Sequence, residues 1–151
     1  MAETFRKLVA NQYTRDFRSA GEVIEVPVVA PVAGEILVKN HFGGVNASDV
    51  NISGGVYFSD GTFPFDLGCE SIGEVVAIGE GVSDFKVGDS VVSPELGSAY
   101  SEMLCRDVSQ FVKVPGRTPE IMGVIVNGVT ASMGLNIVGE MSAGETVLIT
   151  A

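Results

Sequence analysis

The side chains with chemistry to offer are few, and they gather in two stretches. Gly68-Cys69-Glu70 sets a thiol beside a carboxylate, while Asn46, Ser48 and Asp49 lie between the glycine pairs Gly43-Gly44 and Gly54-Gly55, with Tyr57 just beyond. The chain has two cysteines, Cys69 and Cys105, and one histidine, His41. Three such ligands cannot close a structural zinc site, which takes four. By residue type alone, Asn46 and Asp49 fit ordinary turn and cap chemistry, because both bond local backbone. Cys69 fits a small buried apolar residue. His41 follows Lys39 by two places on a strand-like run, which reads as a surface position.

These groups need strands and turns to hold them. Residues 64–92 organise the chain: strand-like runs at 72–78 and 90–93 are each entered and left through glycines, which take positive φ and let backbones approach closely. That punctuation belongs to hairpins and barrel corners. Upstream, residues 3–11, 23–29 and 35–42 are predicted strands, the second made an edge by Pro27 and Pro31. In the third, Ile36, Val38 and Asn40 face one side and Leu37, Lys39 and His41 the other. Residues 46–53 read as a short helix, 56–65 as an exposed loop carrying Tyr57, Phe58 and Phe63, and 111–114 as a last barrel strand ended by Pro115.

The period then changes. Thr118 is a candidate N-cap with Pro119 at the first helical position, and Ile121, Met122, Ile125, Val129, Met133, Leu135 and Val138 follow at roughly helical spacing up to Gly139. Gly123, Gly128 and Gly134 weaken this helix, and Asn127-Gly128 is where it would split. Residues 144–151 are a turn followed by an apolar run.

Composition bounds the function classes. At 151 residues, with 46% apolar and 19% charged, the chain is one ordinary domain able to bury its own core. A net charge of -10 without a Lys/Arg cluster argues against nucleic acid and anionic membrane surfaces. The longest apolar runs fall short of the roughly 20 residues of a membrane span, and the N-terminus lacks the order of a signal peptide. Two cysteines make no disulfide framework, so an intracellular, reduced compartment is expected.

The order Gly-Cys-Glu-Ser-Ile-Gly-Glu-Val-Val from Gly68, then Gly79-Glu80-Gly81-Val82, Phe85 and Gly88-Asp89-Ser90-Val91, resembles the GroES-like domain of medium-chain dehydrogenases/reductases. In the zinc alcohol dehydrogenases of that superfamily the first triplet is Gly-His-Glu. The turn at Asn46, Ser48 and Asp49 resembles the zinc-free members, which carry Asn where the zinc enzymes carry a Cys ligand, and Tyr57 matches the family's active-site Tyr. Gly97-Ser98-Ala99-Tyr100-Ser101-Glu102 resembles the family's glycine-rich turn into the next strand. The run at 144–151 resembles the first parallel strand of a Rossmann fold.

The resemblance implies a mainly β fold: a partly open GroES-like barrel with a C-terminal helix, residues 1–126 being the substrate domain and 127–151 the start of a truncated NADP-binding Rossmann domain. It puts Asn46, Cys69 and Asn127 at the catalytic zinc-ligand positions. Two of these are amides, poor zinc ligands, so no metal is expected. What it implies is a zinc-independent, NADPH-dependent reductase of the quinone oxidoreductase and prostaglandin reductase type, with the sequence of the Tyr57 loop resembling the prostaglandin reductase 3 group. Such enzymes pass hydride to the carbon β to a conjugated carbonyl. Tyr57 and Asn46 would be catalytic, and Asn46, Asn127 and Thr130 would touch the cofactor, with Asp49 and Glu70 in structural roles. Expected partners are a small-molecule carbonyl substrate and, for the full-length protein, a second copy, with no nucleic acid and no membrane; the expected location is cytoplasmic, with peroxisomal also allowed by the resemblance. The alternative is a non-catalytic GroES-like barrel used for binding or bulk.

Dinucleotide affinity in this superfamily comes largely from a glycine-rich turn that would lie past Ala151. The 151-residue chain is therefore expected neither to reduce enones nor to bind NADPH at micromolar concentration. Calorimetric titration checks this; micromolar binding would mean that the cofactor site is built otherwise.

Overall fold

The computed structural model describes residues 3–150. Among the described residues, eight strands form two antiparallel sheets. β1 (Thr4–Ala10) lies between β2 (Gly21–Pro27) and the short β4 (Phe65–Asp66). The larger sheet runs β7-β3-β5-β6-β8, with β3 at Glu35–Gly43, β5 at Ser71–Ile78, β6 at Ser90–Ser93, β7 at Met103–Asp107 and β8 at Val112–Lys113. The sheets meet along one seam. Leu8 N–H donates to the Tyr100 carbonyl at 2.8 Å, Glu102 N–H to the Arg6 carbonyl at 3.0 Å, and Lys7 bridges Ser101. Both sheets stay open elsewhere, and the result is the expected partly open barrel.

The sequence pattern accounts for most of this. β2 is an edge, as Pro27 requires. Ile36 and Val38 point inward and meet Val75, Val91, Leu104 and Phe111 in the barrel core. Strict alternation in β3 fails: register shifts occur between Leu37 and Val38 and between Asn40 and Phe42, and Leu37 is buried as well. A bulge places two residues against one on the partner strand and re-aims the side chains beyond it. His41 is exposed, 3.7 Å from Glu74, as its spacing predicts.

Two satellite cores flank the barrel. After the single turn α1 (Phe17–Ala20), Ala10, Ile52, Leu67 and Cys69 seat α2 (Ala47–Ser53), with Phe58, Phe65 and Tyr100 packed around them. Ile72, Val92 and Met122 seat the C-terminal helix, joined by Val114, Ile121 and Ile125. Each such aliphatic side chain taken fully from water contributes about 1.5–3 kcal/mol. Glu70 falls between the two cores because Cys69 belongs to one and Ile72 to the other.

The C-terminal helix corrects three expectations. It is one continuous run, Pro119–Val138, not split at Asn127-Gly128. Val124–Gly128 and Met133–Val138 widen into π turns, while Gly128 (φ -66°, ψ -44°) stays helical. A Cβ on Gly128 would sit 3.1 Å from Val124 Cγ1, so the glycine suits the altered turn. Thr118 stands at the N-cap but its side chain makes no cap bond to the helix. At 20 residues the helix is also long and apolar enough to cross a membrane by length and composition, which corrects the reading that no run approaches that length. Its first half is docked on the barrel through Met122, and Val124, Val129, Met133, Ile137 and Val138 are exposed. The helix ends at Gly139, as expected.

Residues 145–150, whose sequence resembles the first parallel strand of a Rossmann fold, form no strand here. Val147, Leu148 and Ile149 are exposed, and among the described residues they pair with no strand. A strand exists only in a ladder, so the β-prone run stays irregular.

Gly68 controls the approach of the organising stretch to the seam. Its φ is +93°, and a Cβ there would collide with the Ala99 side chain and lie 2.9 Å from the Ala99 backbone nitrogen. Gly68→Ala should therefore cost about 2 kcal/mol or more, through left-handed strain and overpacking together. A lowered urea midpoint is the expected result; an unchanged one would mean that the turn relaxes freely.

Candidate functional site

The site is built where α2, the Gly68 turn and the C-terminal helix converge. Asn46 is the N-cap residue of α2, in extended conformation (φ -128°, ψ 156°), and its N–H donates to Asp49 Oδ2 at 2.7 Å. That contact holds the first turn of the helix and points the Asn46 side chain toward Glu70. There Asn46 Nδ2 donates to Glu70 Oε1 at 2.8 Å and lies 3.7 Å from Cys69 Sγ, while Asn46 Oδ1 accepts from Asn127 Nδ2 at 3.2 Å. The other Glu70 oxygen, Oε2, accepts the backbone N–H of Val126 at 3.0 Å.

A second buried carboxylate lies alongside. Asp49, 2% exposed like Glu70, accepts from the Tyr100 hydroxyl at 2.9 Å through Oδ2 and from the Cys69 thiol at 3.4 Å through Oδ1. Burial first, and then the charge of Asp49, push the Cys69 thiol up to about 12. The same causes, burial and then the bond to Asp49, raise the Tyr100 hydroxyl. Both donors are thus kept protonated beside the acid that receives them.

The structure brings together Asn46, Cys69 and Asn127, three residues 23 and 58 positions apart along the chain. Two other expected site residues make their hydrogen bonds elsewhere. Tyr57 is 56% exposed and its hydroxyl accepts from Asn51 Nδ2 at 3.3 Å. That bond, and a further one with Ser48, lower its pKa. Thr130 is exposed, and its hydroxyl donates back to the Val126 carbonyl at 2.6 Å. Sequence reasoning missed the two donors that Glu70 receives and the link from Tyr100 to Asp49. The available signal was the acid in Gly68-Cys69-Glu70, flanked by apolar residues that bury it. A cleft of about 350 Å³ along the seam is lined by Arg6, Lys7, His41 and Glu102, but Arg6 and Lys7 already pair with Glu102 and Asp66.

Among the described residues, no three His, Cys, Asp or Glu side chains are arranged to hold a metal. At the three matched positions the donor set is two amides and a thiol that would have to lose its proton against Asp49. Thiolate, not thiol, is the metal ligand.

Comparison with known proteins bears on what such a site does. Residues 32–132 match the alcohol dehydrogenase GroES-like domain. The chain is 38% identical to a protein named probable quinone oxidoreductase from Leishmania amazonensis, over 97% of this chain and 43% of that protein. It is 40% identical to prostaglandin reductase-3 from Bos taurus, over 97% of this chain and 39% of that one. Among solved structures, a mycobacterial protein complexed with NADPH superposes with a TM-score of 0.76 at 29% identity, covering 93% of this chain and 42% of that one. The chain thus spans less than half the length of the relatives it matches.

The raised Cys69 pKa sets a measurable reactivity. At pH 8 iodoacetamide should label Cys69 roughly a hundred- to a thousandfold more slowly in the folded chain than in urea, since only the thiolate reacts. Labelling should rise as pH climbs toward about 12, and Asp49→Asn should raise it at pH 8. Peptide mapping by mass spectrometry checks both; equal rates in folded and unfolded chain would contradict the burial.

Proposed function

This chain belongs to the alcohol dehydrogenase GroES-like domain family, and on that premise we propose that it is the substrate-facing part of a zinc-independent, NADPH-dependent reductase of conjugated carbonyls or quinones. The observation that carries the reading is the amide pair of Asn46 and Asn127, joined at 3.2 Å where zinc enzymes of the superfamily would need ionised ligands. The relatives named quinone oxidoreductase and prostaglandin reductase-3 support the reaction class, and the NADPH complex of a related structure supports the cofactor.

The residues present fit the nicotinamide end of such a cofactor. Asn127 spends one Nδ2 proton on Asn46, and among the described residues its Oδ1 has no partner. It can offer that carbonyl and a second N–H to a carboxamide, while the Thr130 hydroxyl, bonded to Val126, keeps lone pairs free for a ligand. When bound, NADPH would supply the hydride. Negative charge then develops on the substrate oxygen, and a hydrogen-bond donor must meet it in place of a Lewis acid. Tyr57 is the proposed donor. Bonds that Asn51 and Ser48 make to its oxygen lower its pKa and make it the better acid. The exposed apolar face of the C-terminal helix at Val124, Val129 and Met133 would lie against the remainder of the enzyme.

In a full-length protein, NADPH consumption with a conjugated enone or quinone tests the reading; no turnover with any of them would favour the non-catalytic barrel. Tyr57→Phe should lower kcat and kcat/KM together by roughly ten- to a thousandfold, because the lost donor acts in the transition state. An effect confined to KM would make Tyr57 a wall of the substrate pocket.

A further inference from the structure

We infer that Glu70 is a positioning residue that sets the polarity of the Asn46–Asn127 amide pair, and with it which atom of Asn127 is offered to a ligand. Its functional consequence rests on the reductase reading above; its geometry does not.

One donor to Glu70 cannot be reversed. The N–H of Val126, within the widened turn Val124–Gly128, can only donate, and it occupies Glu70 Oε2 at 3.0 Å. The remaining oxygen, Oε1, can only accept, so the Asn46 amide must turn its Nδ2 toward it, as it does at 2.8 Å. Asn46 Oδ1 is thereby left facing the helix. Asn127 must then donate to it through Nδ2, at 3.2 Å, and its own Oδ1 is left outward as an acceptor. Each amide carries a donor at one end and an acceptor at the other, so the double-acceptor character of one buried carboxylate passes through two side chains to the exposed surface. The carboxylate is itself held firmly. Glu70 is 2% exposed, its carbonyl accepts from Gly44 N–H at 2.9 Å, and a Cβ at Gly44 would come within 2.7 Å of its carboxyl carbon. The absence of a side chain at Gly44 makes room for Glu70 in this position.

The isosteric variant Glu70→Gln makes the inference testable, because it can keep the chain of bonds from Val126 to Asn127 and invert its order, giving up only the 3.7 Å contact of Asn46 Nδ2 with Cys69 Sγ. The new amide must give its oxygen to Val126 and so presents N–H to Asn46. Asn46 then turns over, Asn127 accepts through Oδ1, and its N–H groups face outward. In the 15N-labelled 151-residue chain, the Asn127 side-chain amide protons are expected to exchange at least about tenfold faster in the variant, having lost their partner. The backbone amides of Val126 and Ile72 should keep their protection. Asn127→Asp supplies a second readout: it sets a carboxylate against Asn46 Oδ1 and should lower Tm, and Glu70→Gln should restore part of that loss. Unchanged exchange at Asn127, or an Asn127→Asp effect of equal size in both backgrounds, would overturn the inference.

In a full-length enzyme the same variant should raise KM for NADPH about tenfold with Tm unchanged, as a mismatch with one ligand group would. An unchanged KM beside an inverted amide would leave the geometry standing and sink its link to the cofactor. If the wild type neither binds NADPH nor turns over while the amides invert, the reductase reading fails and the positioning role of Glu70 does not.

Discussion

Two carboxylates withdrawn from water beside one another impose the strictest demand in this molecule. Asp49 and Glu70 are each 2% exposed, and an acid so placed is tolerated only when donors surround it. Removing one partner of such a buried charge costs on the order of 3–5 kcal/mol. No single element provides the donors. Asp49 draws on the Asn46 backbone, the Cys69 thiol and the Tyr100 hydroxyl, while Glu70 draws on the Asn46 side chain and the Val126 backbone. Asn46 serves both acids, one through its backbone and one through its amide. The start of α2, the Gly68 turn, the seam and the C-terminal helix are thus tied to one another by hydrogen-bond needs as well as by apolar packing.

Packing places those needs at one point. The core that seats α2 and the core that seats the C-terminal helix are separated along the chain only by Glu70 and Ser71, since Cys69 belongs to one and Ile72 to the other. Where the two apolar clusters meet at this turn, a buried polar group must find its partners among the protein groups that face it. This is the setting in which an amide can be oriented without being rigid itself. The open apolar stretch of the helix at Val129, Met133 and Ile137 contrasts with it: nothing among the described residues covers those side chains, and residues 145–150 pair with no strand.

Much of the fold was legible from residue order. Glycines bounding residues 72–78 and 90–93 marked the barrel strands, Pro27 marked the edge, the paired glycines around residues 46–53 marked α2, and Pro119 and Gly139 bracketed the long helix. These are local signals, because φ preference, a missing N–H and apolar periodicity act within a few residues. The features that residue order did not convey are of another kind. The register shifts between β3 and β5 depend on both strands, the π turns at Val124–Gly128 depend on what the helix touches, and the terminal apolar run is a strand only if another strand accepts it.

The candidate site divides in the same way. The resemblance to the family singled out Asn46, Cys69 and Asn127, and residue type then marks two of the three as amides, poor ligands for zinc. Their meeting within hydrogen-bond reach and the burial that raises the Cys69 thiol were decided by the tertiary structure alone. The orientation of each amide was decided there too. Hydrogen-bond polarity is a property of a closed set of neighbours, and Glu70 meets Val126 only after 56 residues of chain have folded back on themselves.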